Sequence, residues 1–204
     1  MTLATEQGFA QISAWGTISR GWALAEQGKR AEGMQQMRQG QAALRAMGEE
    51  TLQSWVLALL AEAHETGGQA EEGLTLLAEA FAVVDNNEEH LYEAELYRLK
   101  GELTLQRFNV QGSTFKVANP QSLIPNPQAQ AEAEACFLKA LEIAQRQQAK
   151  SLELRAAMSL SRLWQQQGKK EEARQMLAEI YGWFTEGFDT ADLKEAKALL
   201  EELA

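Results

Sequence analysis

A repeat of about 40 residues, a period typical of stacked helical units, constrains the fold of this chain more than any other feature of its sequence. Glycines followed by a polar residue stand at Gly28, Gly68 and Gly168, so the first two are one period apart and the third follows after two and a half periods. A small residue stands seven before each glycine, another stands five after it, and a large apolar residue stands nine after it. These residues are Gly21, Ala61 and Ser161; Gly33, Gly73 and Ala173; and Met37, Leu77 and Leu177. Small residues at fixed offsets let two helices approach closely, so the period predicts stacked helical hairpins.

An insertion of roughly half a period splits the third repeat. The period predicts that the first half, with Gly101 at its small position, ends near residue 106. The residues that fit the second half are Ala133, Phe137 and Ala140. The segment between them, 107–128, holds all three prolines, and its Gln, Asn and Ser content favours a surface loop. Its apolar residues, and the alternation of VQGSTFKV at 110–117, favour a short β-hairpin packed on the repeats or on a partner. The candidate contact residues are Phe108, Phe115, Leu123 and Ile124.

The composition predicts an all-α protein. Ala, Leu, Glu and Gln dominate and are strong helix formers, whereas Val and Ile, which favour sheets, are scarce. Helices are predicted roughly over 6–27, 30–47, 50–67, 70–85, 88–107, 128–148, 150–167, 170–184 and 190–203. Asp189 or Thr190 can cap the last of these helices, and Asp192 then lies in its first turn.

This pattern resembles the tetratricopeptide repeat, which places small and aromatic residues and a turn glycine at similar offsets. Agreement is best in EAEACFLKALEIA at 132–144, joined to the half that contains Tyr97 and Gly101. The fourth repeat agrees through Leu160, Ser161, Trp164, Gly168, Ala173 and Leu177. The usual period of that family is about 34 residues. The longer period here is similar to the variant in large bacterial signalling ATPases and the maltose-regulon activator.

The resemblance implies a right-handed, tetratricopeptide-like α-solenoid of four helical hairpins plus a C-terminal capping helix, with an irregular insertion in the third repeat. The whole chain, 1–204, would then be a single domain. Its repeats would span about 6–47, 50–85, 88–148 (with the insertion at 107–128) and 150–184, and the capping helix 190–203.

Longer segments resemble the C-terminal region of bacterial multidomain signalling proteins, where a repeat array follows an NTPase module and often accompanies a nucleotide-cyclase or LuxR-type output domain. Examples are AWGTISRGWALAEQG, QQAKSLELRAAMSLSRLWQQQGK and YGWFTEGFDTADLKEAKALLEEL. The resemblance implies a non-catalytic interaction or regulatory sensor module that controls such a domain, attached or in a partner. No NTPase or cyclase is present, and no GxxxxGK[ST] motif occurs, so nucleotide binding is not implied.

The residues themselves favour neither catalysis nor a cofactor. His64 falls at an aromatic core position, His90 stands alone near a helix start, and Cys136 lies between core positions. No HExxH, GxSxG or Gly-rich phosphate loop occurs, and one cysteine excludes a Cys-rich metal site. The net charge of −10 argues against nucleic-acid and anionic-membrane partners. With no apparent signal peptide or spanning segment, a cytoplasmic location is expected.

A binding groove is the favoured functional hypothesis. In the tetratricopeptide fold the first helix of each hairpin lines a concave groove. The positions that match here are Trp15, Trp22, Trp55, Glu62, Arg98, Glu102, Arg155 and Arg162. Aromatic and Arg side chains dominate protein interfaces, and the arginines could grip a carboxylate of a protein or peptide partner. Internal pairing is the alternative, because Arg98 lies four before Glu102. Trp15 and Trp22, at seven-residue spacing, could equally be core residues.

Two further functions remain open. Apolar surface near the Met1 end, or in the insertion, could pair two copies of the chain as a homodimer. A sugar or metabolite could instead bind in the groove between Trp22, Trp55 and Arg98.

Overall fold

Helices make up most of the described chain. A computed structural model describes residues 9–114 and 126–204. Within these ranges the helices are α1 (Ala10–Glu26), α2 (Arg30–Ala46), α3 (Gln53–Glu65), α4 (Ala70–Asn87), α5 (Glu93–Thr114), α6 (Pro127–Arg146), α7 (Lys150–Gln166), α8 (Lys170–Tyr181) and α9 (Ala191–Glu202). No strand occurs in the same two ranges, so the all-α prediction is confirmed.

The chain divides into two compact units, Met1–Tyr92 and Glu93–Ala204. The first unit contains α1 to α4 and the second contains α5 to α9. The predicted single domain and its assembly into one solenoid stay predictions.

In the first unit, glycines allow α1 and α2 to touch backbone to backbone. A Cβ atom on Gly33 would lie 2.4 Å from the carbonyl oxygen of Gly21, and one on Gly40 would lie 2.6 Å from Cγ1 of Ile18. Since Gly21 faces Gly33 while Ile18 faces Gly40, the two helices run antiparallel. α3 packs on both α1 and α2, and α4 packs on α3. The buried core between them comprises Ala14, Ile18, Met37, Leu44, Val56, Leu60 and Ala63.

The second unit repeats this arrangement with different side chains. A Cβ atom on Gly101 would lie 2.4 Å from the ring of Phe137, so the missing side chain makes room for a fully buried aromatic residue. In the next hairpin, the Ser161 hydroxyl donates a hydrogen bond of 3.3 Å to the carbonyl oxygen of Ala173. α7 packs on α5 and α6, and α8 packs on α7. Small positions predicted from the period are therefore inter-helix contacts in the first, third and fourth hairpins.

The turns recur at half of the predicted period. Backbone φ is positive at Gly28, Gly48, Gly68, Glu88, Gln148 and Gly168. Two hydrogen bonds close the turn at Gly28: its N–H donates to Ala25 and the N–H of Lys29 donates to Leu24. The same pair of bonds closes the turns at 48, 68, 148 and 168. This pattern is the Schellman motif, which favours glycine in the left-handed position. At 148 a glutamine takes this conformation.

The predicted boundaries of the insertion need correction. α5 continues to Thr114, so residues 110–114 are helical and the predicted hairpin at 110–117 is wrong there. The insertion candidate Phe108 is half-buried on α5, with Cζ of Arg107 4.9 Å from its ring centroid. α6 begins at Pro127, where the Asn126 side chain caps the helix by accepting from the N–H of Gln128. The other insertion candidates, Phe115, Leu123 and Ile124, lie outside the described residues.

The C-terminal helix α9 packs on α7 and α8. It buries Leu193, Ala196, Leu199 and the following Leu203 in the core of the second unit. Thr190 is its N-cap residue and Asp192 lies in its first turn, as predicted, although the Thr190 hydroxyl donates to the Gly187 carbonyl. The opposite face is polar and exposed, as expected for a helix that ends a stack of hairpins.

Candidate partner-binding surface

All eight groove candidates lie on the first helices of their hairpins. These helices are α1 (Trp15 and Trp22), α3 (Trp55 and Glu62), α5 (Arg98 and Glu102) and α7 (Arg155 and Arg162). The structure groups several of them into one aromatic set in the first unit and one charged set in the second.

In the first unit Trp15, Trp55 and Tyr92 form an aromatic row. The ring centroids of Trp15 and Trp55 are 5.8 Å apart, and those of Trp55 and Tyr92 are 5.9 Å apart. Both distances fall in the range of favourable tilted aromatic pairs. Trp15 and Trp55 are one repeat period apart in the sequence, so their contact joins equivalent positions of neighbouring hairpins. Sequence reasoning missed Tyr92, because it precedes α5 and has no place in the repeat pattern.

Two other candidates of the first unit, Trp22 and Glu62, lie outside this row. Trp22 is 41% exposed on α1, so it is not a core residue. Trp15, in contrast, is partly buried and packs against the core, in agreement with the alternative reading of that residue. Glu62 is partly exposed on α3. The hypothetical small-molecule site between Trp22, Trp55 and Arg98 involves residues of both units and stays a prediction.

In the second unit, Glu95, Arg98, Glu102 and Arg155 form a charged cluster. Arg98 grips the Glu95 carboxylate with two groups: Nε lies 3.0 Å from Oε2 and Nη2 lies 2.8 Å from Oε1. Nη1 of Arg155, from the neighbouring hairpin, lies 3.0 Å from Oε1 of Glu95. Glu102 is a more distant partner, with its Oε1 3.8 Å from Nη1 of Arg98. Glu95 and Arg98 are only 6% and 8% exposed, so each buried charge is stabilised mainly by the opposite charge of the other.

This geometry agrees with the internal-pairing alternative, and Glu95 is the main partner. Arg98 and Arg155 already share one carboxylate, so a partner's carboxylate would have to displace Glu95 or approach Arg155, whose side chain is 30% exposed. Arg162 is paired as well, with Glu195 on α9. Binding of a partner by these arginines stays a prediction.

Position 95 is the third-repeat equivalent of positions 15 and 55, and 155 is the fourth-repeat equivalent. The contact between Glu95 and Arg155 therefore joins the same two repeat positions as the contact between Trp15 and Trp55. In each unit the first helices of neighbouring hairpins are in register at this position.

A second polar network surrounds Glu134 on α6. The indole N–H of Trp164 donates a hydrogen bond of 2.7 Å to Oε1 of this carboxylate, and Nζ of Lys169 lies 3.5 Å from the same oxygen. Burial acts to raise the pKa of Glu134, but the hydrogen bond from Trp164 and the charge of Lys169 together lower it below its usual value. The network holds α6 against the α7–α8 turn.

The residues considered for catalysis are placed as core or surface residues. His64 is buried, and burial together with the charge of Arg38 lowers its pKa, although Gln69 and Glu72 oppose this shift. Burial raises the pKa of the Cys136 thiol, which keeps it protonated. His90 is exposed.

Within residues 9–114 and 126–204, no group of three or more His, Cys, Asp or Glu side chains is arranged to hold a metal ion. In the same part of the chain, no helix combines the length and apolar character needed to cross a bilayer. Comparison of the chain with protein-family models, and with curated proteins, finds no match to either.

Proposed function

We propose that the chain is a non-catalytic interaction or regulatory sensor module that binds a protein or peptide partner through the first helices of its hairpins. The observation that carries this proposal is the paired contact at equivalent positions, Trp15 with Trp55 and Glu95 with Arg155. Neighbouring hairpins that stack in register are the structural unit of a solenoid, and solenoids present extended binding surfaces.

The packing within each unit supports a tetratricopeptide-like solenoid. Every first helix contacts the second helix of its own hairpin and the first helix of the neighbouring hairpin in its unit. A helical hairpin cannot bury its apolar face alone. A stack of four hairpins that ends in α9 would bury the apolar face of each one.

The side chains on the first helices support binding of a partner. Aromatic residues and Arg contribute most of the binding energy in protein interfaces. Trp22, Glu62 and Arg162 keep part of their surface exposed on these helices, so a partner could contact them without unfolding the core. In the multidomain proteins that the sequence resembles, such an array would regulate an NTPase, cyclase or transcription-output domain. Binding that favours one curvature of the array would shift the equilibrium between two states of that domain.

Matched triple variants test this function in affinity capture from the source cells. The first replaces exposed first-helix residues, Trp22→Ala, Glu62→Ala and Arg162→Ala. The control replaces exposed second-helix residues of similar type, Leu138→Ala, Glu79→Ala and Arg174→Ala. We expect the wild-type chain and the control to retain a specific partner that the first variant loses, with both variants equally folded by circular dichroism. Loss of the partner only in the control would contradict the proposal.

Self-association is the second candidate function, and one observation favours it. Phe9 and Ile12, at the start of α1, are more than half exposed, and exposed large apolar residues commonly mark contact surfaces. Sedimentation over a dilution series tests this function with Phe9→Ser/Ile12→Ser. A dimer that dissociates on dilution, and is absent in the variant, would support it; a monomer at all concentrations would exclude it.

A further inference from the structure

A pocket in the second unit contains an exposed tryptophan that no part of the sequence reasoning singled out. The pocket has a volume of about 250 Å³ and lies where the C-terminal ends of α6 and α8 meet the start of α7. The lining residues that matter here are Gln145, Lys150, Glu153, Met176, Glu179 and Trp183. None of them is a groove candidate, so an inference from this pocket does not depend on the proposed function.

Trp183 follows α8 and is 59% exposed. Its ring meets that of Phe184 edge to face, with the centroids 5.2 Å apart. Phe184 thus holds the indole in place while leaving most of it uncovered. A large aromatic ring that is held in place and exposed beside a pocket is available to a ligand.

The ammonium group of Lys150 already lies beside the Trp183 ring. Nζ of Lys150 lies 5.7 Å from the ring centroid of Trp183 and 2.6 Å from Oε2 of Glu153. Glu153 is only 3% exposed, and its Oε1 accepts a hydrogen bond of 3.2 Å from Nε2 of Gln145. An aromatic ring and a buried carboxylate that both contact one ammonium are the elements of an organic-cation site.

We propose that this pocket binds an arginine side chain from a basic segment of a partner protein, which displaces the Lys150 ammonium. The Lys150 side chain is 30% exposed and long enough to turn its ammonium into solvent. Displacement leaves two carboxylates in the pocket, Glu153 and Glu179, without a cation from its lining.

The chemistry of the pocket favours arginine over lysine as the incoming group. A guanidinium is planar, stacks on an indole ring and pairs with a carboxylate through two parallel hydrogen bonds. The net charge of −10 on the chain adds a general attraction for a basic partner.

NMR of the indole N–H groups tests this proposal in the full-length chain. The five tryptophans give five such signals, and Trp183→Phe identifies the signal of Trp183 by its loss. The probe is N-acetyl-arginine amide, and N-acetyl-citrulline amide serves as the neutral control of the same shape. We expect the Trp183 signal to shift with arginine and not with citrulline, and the other four indole signals to stay unchanged with both.

Variants of Lys150 test whether this residue competes with the probe. Lys150→Gln removes the resident cation, so we expect arginine to bind more tightly by a factor of roughly 2–5. Lys150→Arg keeps a cation in place and should not tighten binding. Glu179→Gln should weaken binding, and the remaining indole signals show whether each variant is folded.

Three results would overturn the proposal. The first is an equal shift with citrulline, which would mean that charge is not recognised. The second is arginine binding that Lys150→Gln leaves unchanged or weakens. The third is a shift with spermidine but not with the arginine probe, which would make the ligand a polyamine.

Discussion

The two units place different chemistry at one position of the same repeat. In the first unit this position pairs two indole rings, Trp15 and Trp55, and in the second it pairs a carboxylate with a guanidinium, Glu95 and Arg155. The backbone arrangement that brings each pair together is the same, since small residues and left-handed turns recur at the same offsets. The repeat therefore determines which positions meet, while the side chains determine how strongly they interact and what they can bind.

The largest effect on stability is expected from the loss of the Glu95 carboxylate. Glu95→Gln would leave the buried guanidinium of Arg98 without its main carboxylate and should destabilise the chain by about 3–5 kcal/mol. Urea denaturation measures this loss. The exposed pair of Lys139 and Glu142 provides the control, because Glu142→Gln should change stability by less than about 0.5 kcal/mol.

An apolar replacement of Glu95 and its two arginine partners sharpens this comparison. Glu95→Leu/Arg98→Met/Arg155→Leu removes the buried carboxylate together with both guanidinium groups that pair with it, so its stability should return close to that of the wild type. If this triple variant were as unstable as Glu95→Gln, unpaired charge would not be the cause of the loss.

The aromatic row should show a smaller effect. Trp55→Leu removes two ring pairs, and pairs of this kind contribute about 0.5–1.5 kcal/mol each beyond the area that they bury, so a loss of about 1–3 kcal/mol is expected. Trp22→Leu is the control, since Trp22 is exposed and outside the row. Similar losses of stability for the two variants would show that the row contributes nothing specific.

Turn positions permit the next comparison. Gln148 adopts the left-handed conformation that glycine adopts at Gly168. Gln148→Gly should relieve backbone strain and stabilise the chain by about 0.5–1 kcal/mol, whereas Gly168→Ala should destabilise it by about 1 kcal/mol. Thermal unfolding of both variants measures the two shifts. Changes of the same sign would contradict the assignment of these turns.

The smallest expected effect is the contribution of His64, in the first unit, to the pH dependence of stability. His64 has a pKa below 6.5 in the folded chain, mainly because of burial and then because of Arg38; Glu72 and Gln69 oppose the shift and Arg30 adds to it. As pH falls below about 6.5, the unfolded chain therefore takes up the proton more readily, and stability decreases until the folded pKa is reached.

His64→Phe should remove this part of the pH dependence. The expected result is a smaller loss of stability between pH 7 and pH 5 than in the wild type, measured by urea denaturation. Leu60→Val is the control and should keep the wild-type dependence, because it changes a buried residue of the same core without removing a titratable group. Identical pH profiles for the wild type and His64→Phe would contradict the assignment of His64.

The helices, and several residues at which they pack on each other, could be predicted from the sequence. The signal was the small residues that recur at the same offsets in each repeat. Gly21, Gly101 and Phe137 could be placed from spacing alone, and the structure confirms the close approach at each. The end of α5 was not predicted, since the period favours a turn near residue 108, whereas the helix continues through Asn109 and Gly112, both weak helix formers, to Thr114.

The candidate site was less predictable than the fold. The Arg98–Glu102 spacing suggested an ion pair, but Arg98 binds Glu95, three residues earlier on α5, more closely than it binds Glu102. Arg155 of α7 contacts the same Glu95 carboxylate, and the helical period carries no signal for that contact. Tyr92 and Trp183 lie outside the repeat pattern, so periodicity carries no signal for them. Contacts between hairpins depend on tertiary packing, which a helical period only partly specifies.

Site-specific photo-cross-linking in the source cells shows directly whether the first helices contact the partner. The photoreactive amino acid p-benzoylphenylalanine would replace Glu62 on α3 or Arg162 on α7, and for comparison Glu79 on α4 or Arg174 on α8. All four side chains are at least partly exposed. We expect cross-links to one partner from the two first-helix positions and none from the two second-helix positions. Cross-links from Glu79 and Arg174 alone would contradict this expectation and would place the binding surface on the second helices.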